Sequence, residues 1–158
     1  MAITEYNKYM QEAASKGKLA EYPDYRADTK AADAAIKYGM AVELAGSSGE
    51  RVTTFSGGTP FGITLAREYT DYTEENPDDL KYRANEPVAV IRQGTIWVEV
   101  EDDVTPADSV YADNSTGNFR ATETDGESNT VGTAIPGAMF KSAANSGELV
   151  KVEINLPA

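Results

Sequence analysis

Glu99 and Glu101 stand two residues apart in the alternating run TIWVEVE at 95–101. On a strand both point to one face, with their carbons about 7 Å apart. That is near the spacing of the acid and base in an inverting glycosidase, and Trp97 on the same face could stack on a sugar. The plainer reading is an exposed strand face in an acidic protein. Asp102 and Asp103 extend the run with oxygen ligands of the kind Ca²⁺ accepts, but no loop has the D-x-[DN]-x-[DN]-G-x₅-E arrangement that would order them. The pieces GSSG at 46–49 and SGGTPFG at 56–62 lack phosphate-loop spacing and fall between strand-like runs, so both are expected to be tight turns. The chain has no His and no Cys. The usual general base, the Ser-His-Asp triad, thiolate chemistry and imidazole or thiolate metal sites are all excluded. No catalytic, cofactor or metal residue is expected, and the protein reads as a non-enzyme.

The elements that carry these residues read as strands. The chain has 158 residues, a size that suits one domain. Strand-like runs occupy 38–44, 50–55, 61–66, 86–92, 95–101, 108–112, 117–123, 130–140 and 147–155, separated by turns such as DNSTG and TDGESN. In the 95–101 run Ile96, Val98 and Val100 point one way, with Trp97, Glu99 and Glu101 pointing the other. Pro87 and Pro136 suit strand starts, edges or bulges. Many short, closely spaced strands predict an all-β body, a small β-barrel or β-sandwich, over residues 35–158. Residues 67–85 read as a solvated acidic loop over one end of it, pinned by Tyr69, Tyr72 and Tyr82.

Residues 1–34 differ in character and read as an N-terminal arm, extended or partly helical. They carry six acids and five bases, a net of −1, against 20 acids and 9 bases, a net of −11, in the remainder. Tyr6, Tyr9, Met10, Ala13 and Ala14 fit a short helical stripe capped by Thr4 and closed by Gly17. Tyr22 and Tyr25 flank Pro23, which favours extended chain. Such an arm could reach about 110 Å. Tyrosine is enriched where protein surfaces meet, so Tyr6, Tyr9, Met10, Tyr22 and Tyr25, with Trp97 on the body, are the candidate partner-binding residues. The net charge of −12 argues against nucleic acid and against anionic membranes. No apolar run approaches bilayer length, and the start MAITEYNKYMQE lacks the pattern of a secretory signal. The protein is expected to be soluble and used without export by that route.

The strand pattern resembles the structural cement, or decoration, proteins of tailed-bacteriophage capsids. IKYGMAV at 36–42 opens the match and FGITLA at 61–66 continues it. VAVIRQGTIWV at 88–98 is the most specific stretch, followed by DVTPADSVYADNSTGNF at 103–119 and IPGAMFKSAANSGELVKVEIN at 135–155. Pro106–Ala107 departs from the Gly that commonly precedes the Asp, residues 67–85 look long, and the arm matches least well. The resemblance implies a non-enzymatic β-rich module without cofactors, on the exterior of the virion and made in the host cytoplasm. It implies two partners: the major capsid protein, whose subunits the module bridges and so stabilises, and the chain itself, as a homotrimer at threefold and quasi-threefold positions. The alternative is a phage tail, fibre or carbohydrate-binding β domain using Trp97 and its neighbouring acids.

Overall fold

The computed structural model describes residues 14–22, 24–67 and 80–157. Among these residues there are strands and turns and no α-helix. Five strands close a barrel: β1 (Arg26–Ala32), β4 (Arg51–Thr54), β3 (Ala41–Ala45), β5 (Gly62–Thr64) and β7 (Pro87–Glu99), which pairs back onto β1. The β1–β4 pairing is parallel and the others are antiparallel. A two-stranded ribbon, β2 (Ile36–Lys37) with β6 (Lys81–Tyr82), adds to the body. Tyr38 and Tyr82 meet edge-on there, centroids 5.2 Å apart. Both belong to the apolar cluster formed by Ala32, Ile36, Met40, Val42, Val52, Val88 and Val90. The Tyr82 hydroxyl, which would be costly to bury unpaired, donates to the Leu65 carbonyl.

β7 is the spine of the molecule. The sequence reads as two strands parted by Gly94, yet 13 residues run through as one. Its first half is a barrel stave and its second half pairs with β12 (Leu149–Asn155), which β11 (Met139–Phe140) follows. Opposite Arg26/Ala27 the register slips by one residue. A slip of one reverses which side chains face inward. Val88 and Val90 accordingly fill the barrel cluster, while Ile91 and then Ile96, Val98 and Val100 fill a second cluster with Phe119, Phe140, Val150, Val152 and Ile154. A three-stranded sheet of β10 (Gly132–Ala134), β8 (Tyr111–Asp113) and β9 (Phe119–Arg120) contributes Ala112 and Phe119 to that second cluster. The predicted 130–140 strand is broken by a Pro136–Gly137 turn, with Gly137 at φ +73° and the Ala138 amide donating to Ile135.

The described part of the expected arm belongs to the body. Arg26–Ala32 is a barrel strand, although its Ala-rich sequence RADTKAA has little β propensity. Residues 17–20 form a strap along the second half of β7. The Gly17 amide donates to the Trp97 carbonyl at 2.7 Å, Trp97 to Lys18 at 2.9 Å and Ala20 to Thr95 at 2.8 Å. Leu19 enters the second cluster beside Ile96. The helical stripe assigned to residues 6–14 lies, apart from Ala14, outside the described residues.

Candidate partner-binding face

The alternation of β7 and β12 that buries Ile96, Val98, Val150 and Val152 turns Thr95, Trp97 and Glu99 to the opposite face. There they stand beside Glu153, Lys151 and Leu149 of β12. Met139, 46% exposed, extends this face on β11. Trp97 is half-buried at its centre, with the Lys151 ammonium 5.4 Å from the ring centroid. Such a cation–π contact leaves the ring partly open.

Beyond Thr95 the strap bends outward around Gly94. A side chain at Gly94 would meet Tyr25 Cβ at 2.9 Å, and the residue holds φ +136°, so glycine is required there. Tyr22 and Tyr25 are 65% and 45% exposed, stacked edge to face with centroids 6.3 Å apart. Tyr22, Glu21, Asp24 and Glu153 line a cleft of about 250 Å³ beside Thr95. The structure thus brings Tyr22 and Tyr25 together beside Gly94, and sets Trp97 farther along β7. Tyr6, Tyr9 and Met10 lie outside the described residues, as do Tyr69 and Tyr72.

The carboxylates nearest Trp97 and along the turn after β7 are engaged within the protein. Lys16 pairs with Glu99 at 3.4 Å, and its Nζ donates to Asn118 Oδ1 at 2.6 Å. Asn118 Nδ2 and Thr116 Oγ1 donate to Glu101 Oε1 at 2.7 and 2.9 Å. Lys141 pairs with Glu153 at 2.9 Å, a bond that raises the lysine's pKa. Asp102 accepts from the Ala121 amide and Thr122 hydroxyl, and Asp103 from the Ser146 amide. Glu99 and Glu101 therefore do not face each other across an open groove. Among the described residues no group of three or more His, Cys, Asp or Glu is placed to hold a metal ion. The sequence reading named both glutamates but missed Lys16 and Asn118. They are 102 residues apart, and no local pattern joins them.

Fold and face together define a small all-β barrel module with most of the described aromatic rings packed in or against the core and Tyr22, Tyr25 and Trp97 left open on the outside. The sequence matches the profile of the structural cement proteins (E217 gp24/Pam3 gp6) over residues 2–155, and the chain belongs to that family. No curated protein is significantly similar. Among solved structures, the chain is similar to one in the capsid of Myoviridae phage XM1, with TM-score 0.61, 19% identity and 98% of each chain covered. It is also similar to the head fibre gp8.5 N base of bacteriophage phi29, with TM-score 0.52, 13% identity, and 84% of this chain and 95% of that one covered. At these identities the likeness is one of fold.

Proposed function

We propose that this protein is a non-enzymatic component of a phage virion that binds the outer surface of the capsid and bridges major capsid subunits. Membership of the structural cement family across residues 2–155 carries the reading. The chemistry of the chain supports it. The acidic body would repel DNA and suits a solvent-facing exterior. The carboxylates around Trp97 are already paired within the protein, which suits adhesion better than catalysis.

Attachment is assigned to the Tyr22–Tyr25–Trp97 face together with Tyr6, Tyr9 and Met10 of the N-terminal segment. Two separate points of contact raise each other's effective concentration, so neither need be tight. The protein is further assigned a homotrimeric state at threefold and quasi-threefold positions. The test is co-sedimentation of the purified protein with mature heads. Full-length chain is expected to saturate at a fixed ratio to the major capsid protein. A chain lacking residues 1–13, which keeps the strap and β1, is expected to stay folded and bind at least tenfold more weakly. Failure of full-length protein to bind heads overturns the reading, and unchanged binding by the truncated chain overturns the role of its first residues. Analytical ultracentrifugation of the free protein tests the trimer.

A further inference from the structure

Lys16 leaves the strap and ends on the side-chain amide of Asn118, in the turn between β8 and β9. Its Nζ lies 2.6 Å from Oδ1, and the amide carbon is one bond of about 1.2 Å beyond. Glu101 holds the other end of that amide, Oε1 accepting from Nδ2 at 2.7 Å, while Glu99 Oε2 is 3.4 Å from Nζ. Asn118 is only 7% exposed, and its backbone is fixed on both sides by bonds from its amide to Thr116 Oγ1 and to its carbonyl from Asp113. An amine, a carboxamide and two carboxylates are thus held together around a buried amide, with the Lys16 and Glu99 side chains 19% and 38% exposed.

We propose that the chain closes an intramolecular isopeptide bond between Lys16 Nζ and Asn118 Cγ, expelling ammonia, with Glu99 and Glu101 carrying the protons. The ammonium of Lys16 first gives a proton to Glu99. The free amine then attacks Asn118 Cγ, forming the C–N bond while the carbonyl electron pair moves to Oδ1. Glu101 takes a proton from the attacking nitrogen and delivers it to Nδ2. The Cγ–Nδ2 bond breaks as the carbonyl reforms, and ammonia leaves and collects the proton held by Glu99. Lysine ammonium and asparagine amide become a secondary amide and an ammonium ion, with no oxidant and no cofactor.

A carboxamide is a poor electrophile, so the rate depends on the pre-set contact, for which effective concentrations far above any solution value are available. Burial, the largest influence on Lys16, lowers its pKa, and Lys37 nearby acts in the same direction; Glu99 and Glu101 oppose both. The amine form is correspondingly easier to reach than on an exposed lysine. The bond would ring residues 16–118, a loop that contains every strand of the barrel. If the N-terminal segment is a tether, force on it would then pass to the body through an amide and not through the hydrogen bonds of the strap.

Intact mass of the denatured full-length protein tests this after folding and prolonged incubation. The expected mass is that of the sequence less one ammonia. Trypsin should release fragment 9–18, uncut at Lys16, joined to fragment 93–120. K16R and N118A are expected to keep the full mass, and E101Q to form the bond at least ~100-fold more slowly. Wild-type protein at full sequence mass, without the joined fragment, overturns the proposal whatever the variants do. Ammonia loss that persists in K16R or N118A overturns the assignment of the two residues. An E101Q chain that matches the wild-type rate overturns the role of Glu101.

Discussion

Asp113 is buried in β8 with Arg120 Nη1 2.8 Å from its carboxylate, while the amides of Ser115 and Thr116 and the Ser115 hydroxyl donate to its other oxygen. Burial opposes its ionisation, but these bonds and the guanidinium outweigh it, and the pKa falls below 3.8. A group depressed in the native state contributes stability that is complete above its unfolded pKa and lost as pH falls through the native one. Thermal melts should therefore show a stability loss setting in below about pH 4, and Asp113→Asn should lack that component. Asp113→Ala leaves the part-buried Arg120 with only the longer contacts to Asp102 and Thr122, at 3.9 and 3.4 Å, and should cost about 3 kcal/mol by denaturant unfolding. Trp97 offers the opposite case. Half-buried on the outer face, it should lose only about 1–2 kcal/mol of stability on truncation to alanine. Head binding should fall at least tenfold, since aromatic anchors dominate interface energies. Unfolding of Trp97→Ala at room temperature would place the ring in the core instead.

The strap and the loop before β3 meet through two glycines. A Cβ on Gly17 would come 2.6 Å from the Gly39 amide nitrogen and one on Gly39 2.6 Å from that of Gly17, and their φ angles are +84° and +68°. Both left-handed backbone and backbone clash forbid a side chain. Gly17→Ala and Gly39→Ala should each lower stability by at least ~2 kcal/mol, measured by thermal melting. The double variant should fall short of the sum, because one displacement of the strap relieves both clashes. A neutral result for either substitution would mean that the strap is not seated as described. The same elements explain why truncation should stop before the strap: β1 bonds to both β4 and β7, so removing it opens the barrel.

For the whole molecule, the pairing of charges decides how attachment responds to salt. On the outer face Lys16, Lys141 and Lys151 are committed to Glu99, Glu153 and the Trp97 ring. What remains for a partner is the aromatic and apolar surface of Tyr22, Tyr25, Met139 and the open side of Trp97, with the exposed carboxylates of Glu21 and Asp24 beside Tyr22. Hydrophobic contacts are little screened, whereas charge pairs at the surface fade once the Debye length shrinks to about 3 Å near 1 M salt. Co-sedimentation with heads should survive about 1 M NaCl with less than a tenfold loss. Release at that concentration would mean that the acidic surface, not the aromatic face, makes the contact.

Much of this was legible from residue order, and the reasons are local. Ile96, Val98 and Val100 alternate with Trp97, Glu99 and Glu101, and a period of two assigns each side chain to a face before any fold is known. Ile135-Pro136-Gly137-Ala138 spells its turn, although the surrounding run 130–140 reads as one strand. The all-β class, the pairing of polar strands with turns and the family resemblance follow from such patterns. RADTKAA could not be read as a barrel stave, because nothing in its side chains asks for a strand; β4 and β7 impose one by pairing with its backbone. Nor could Gly94 be read as the middle of a strand, or the inward face be seen to switch after Ile91. The meeting of Lys16 with Asn118 lay equally out of reach. Local preferences act over a few residues, whereas these contacts exist only once barrel closure has brought distant backbones within bonding distance.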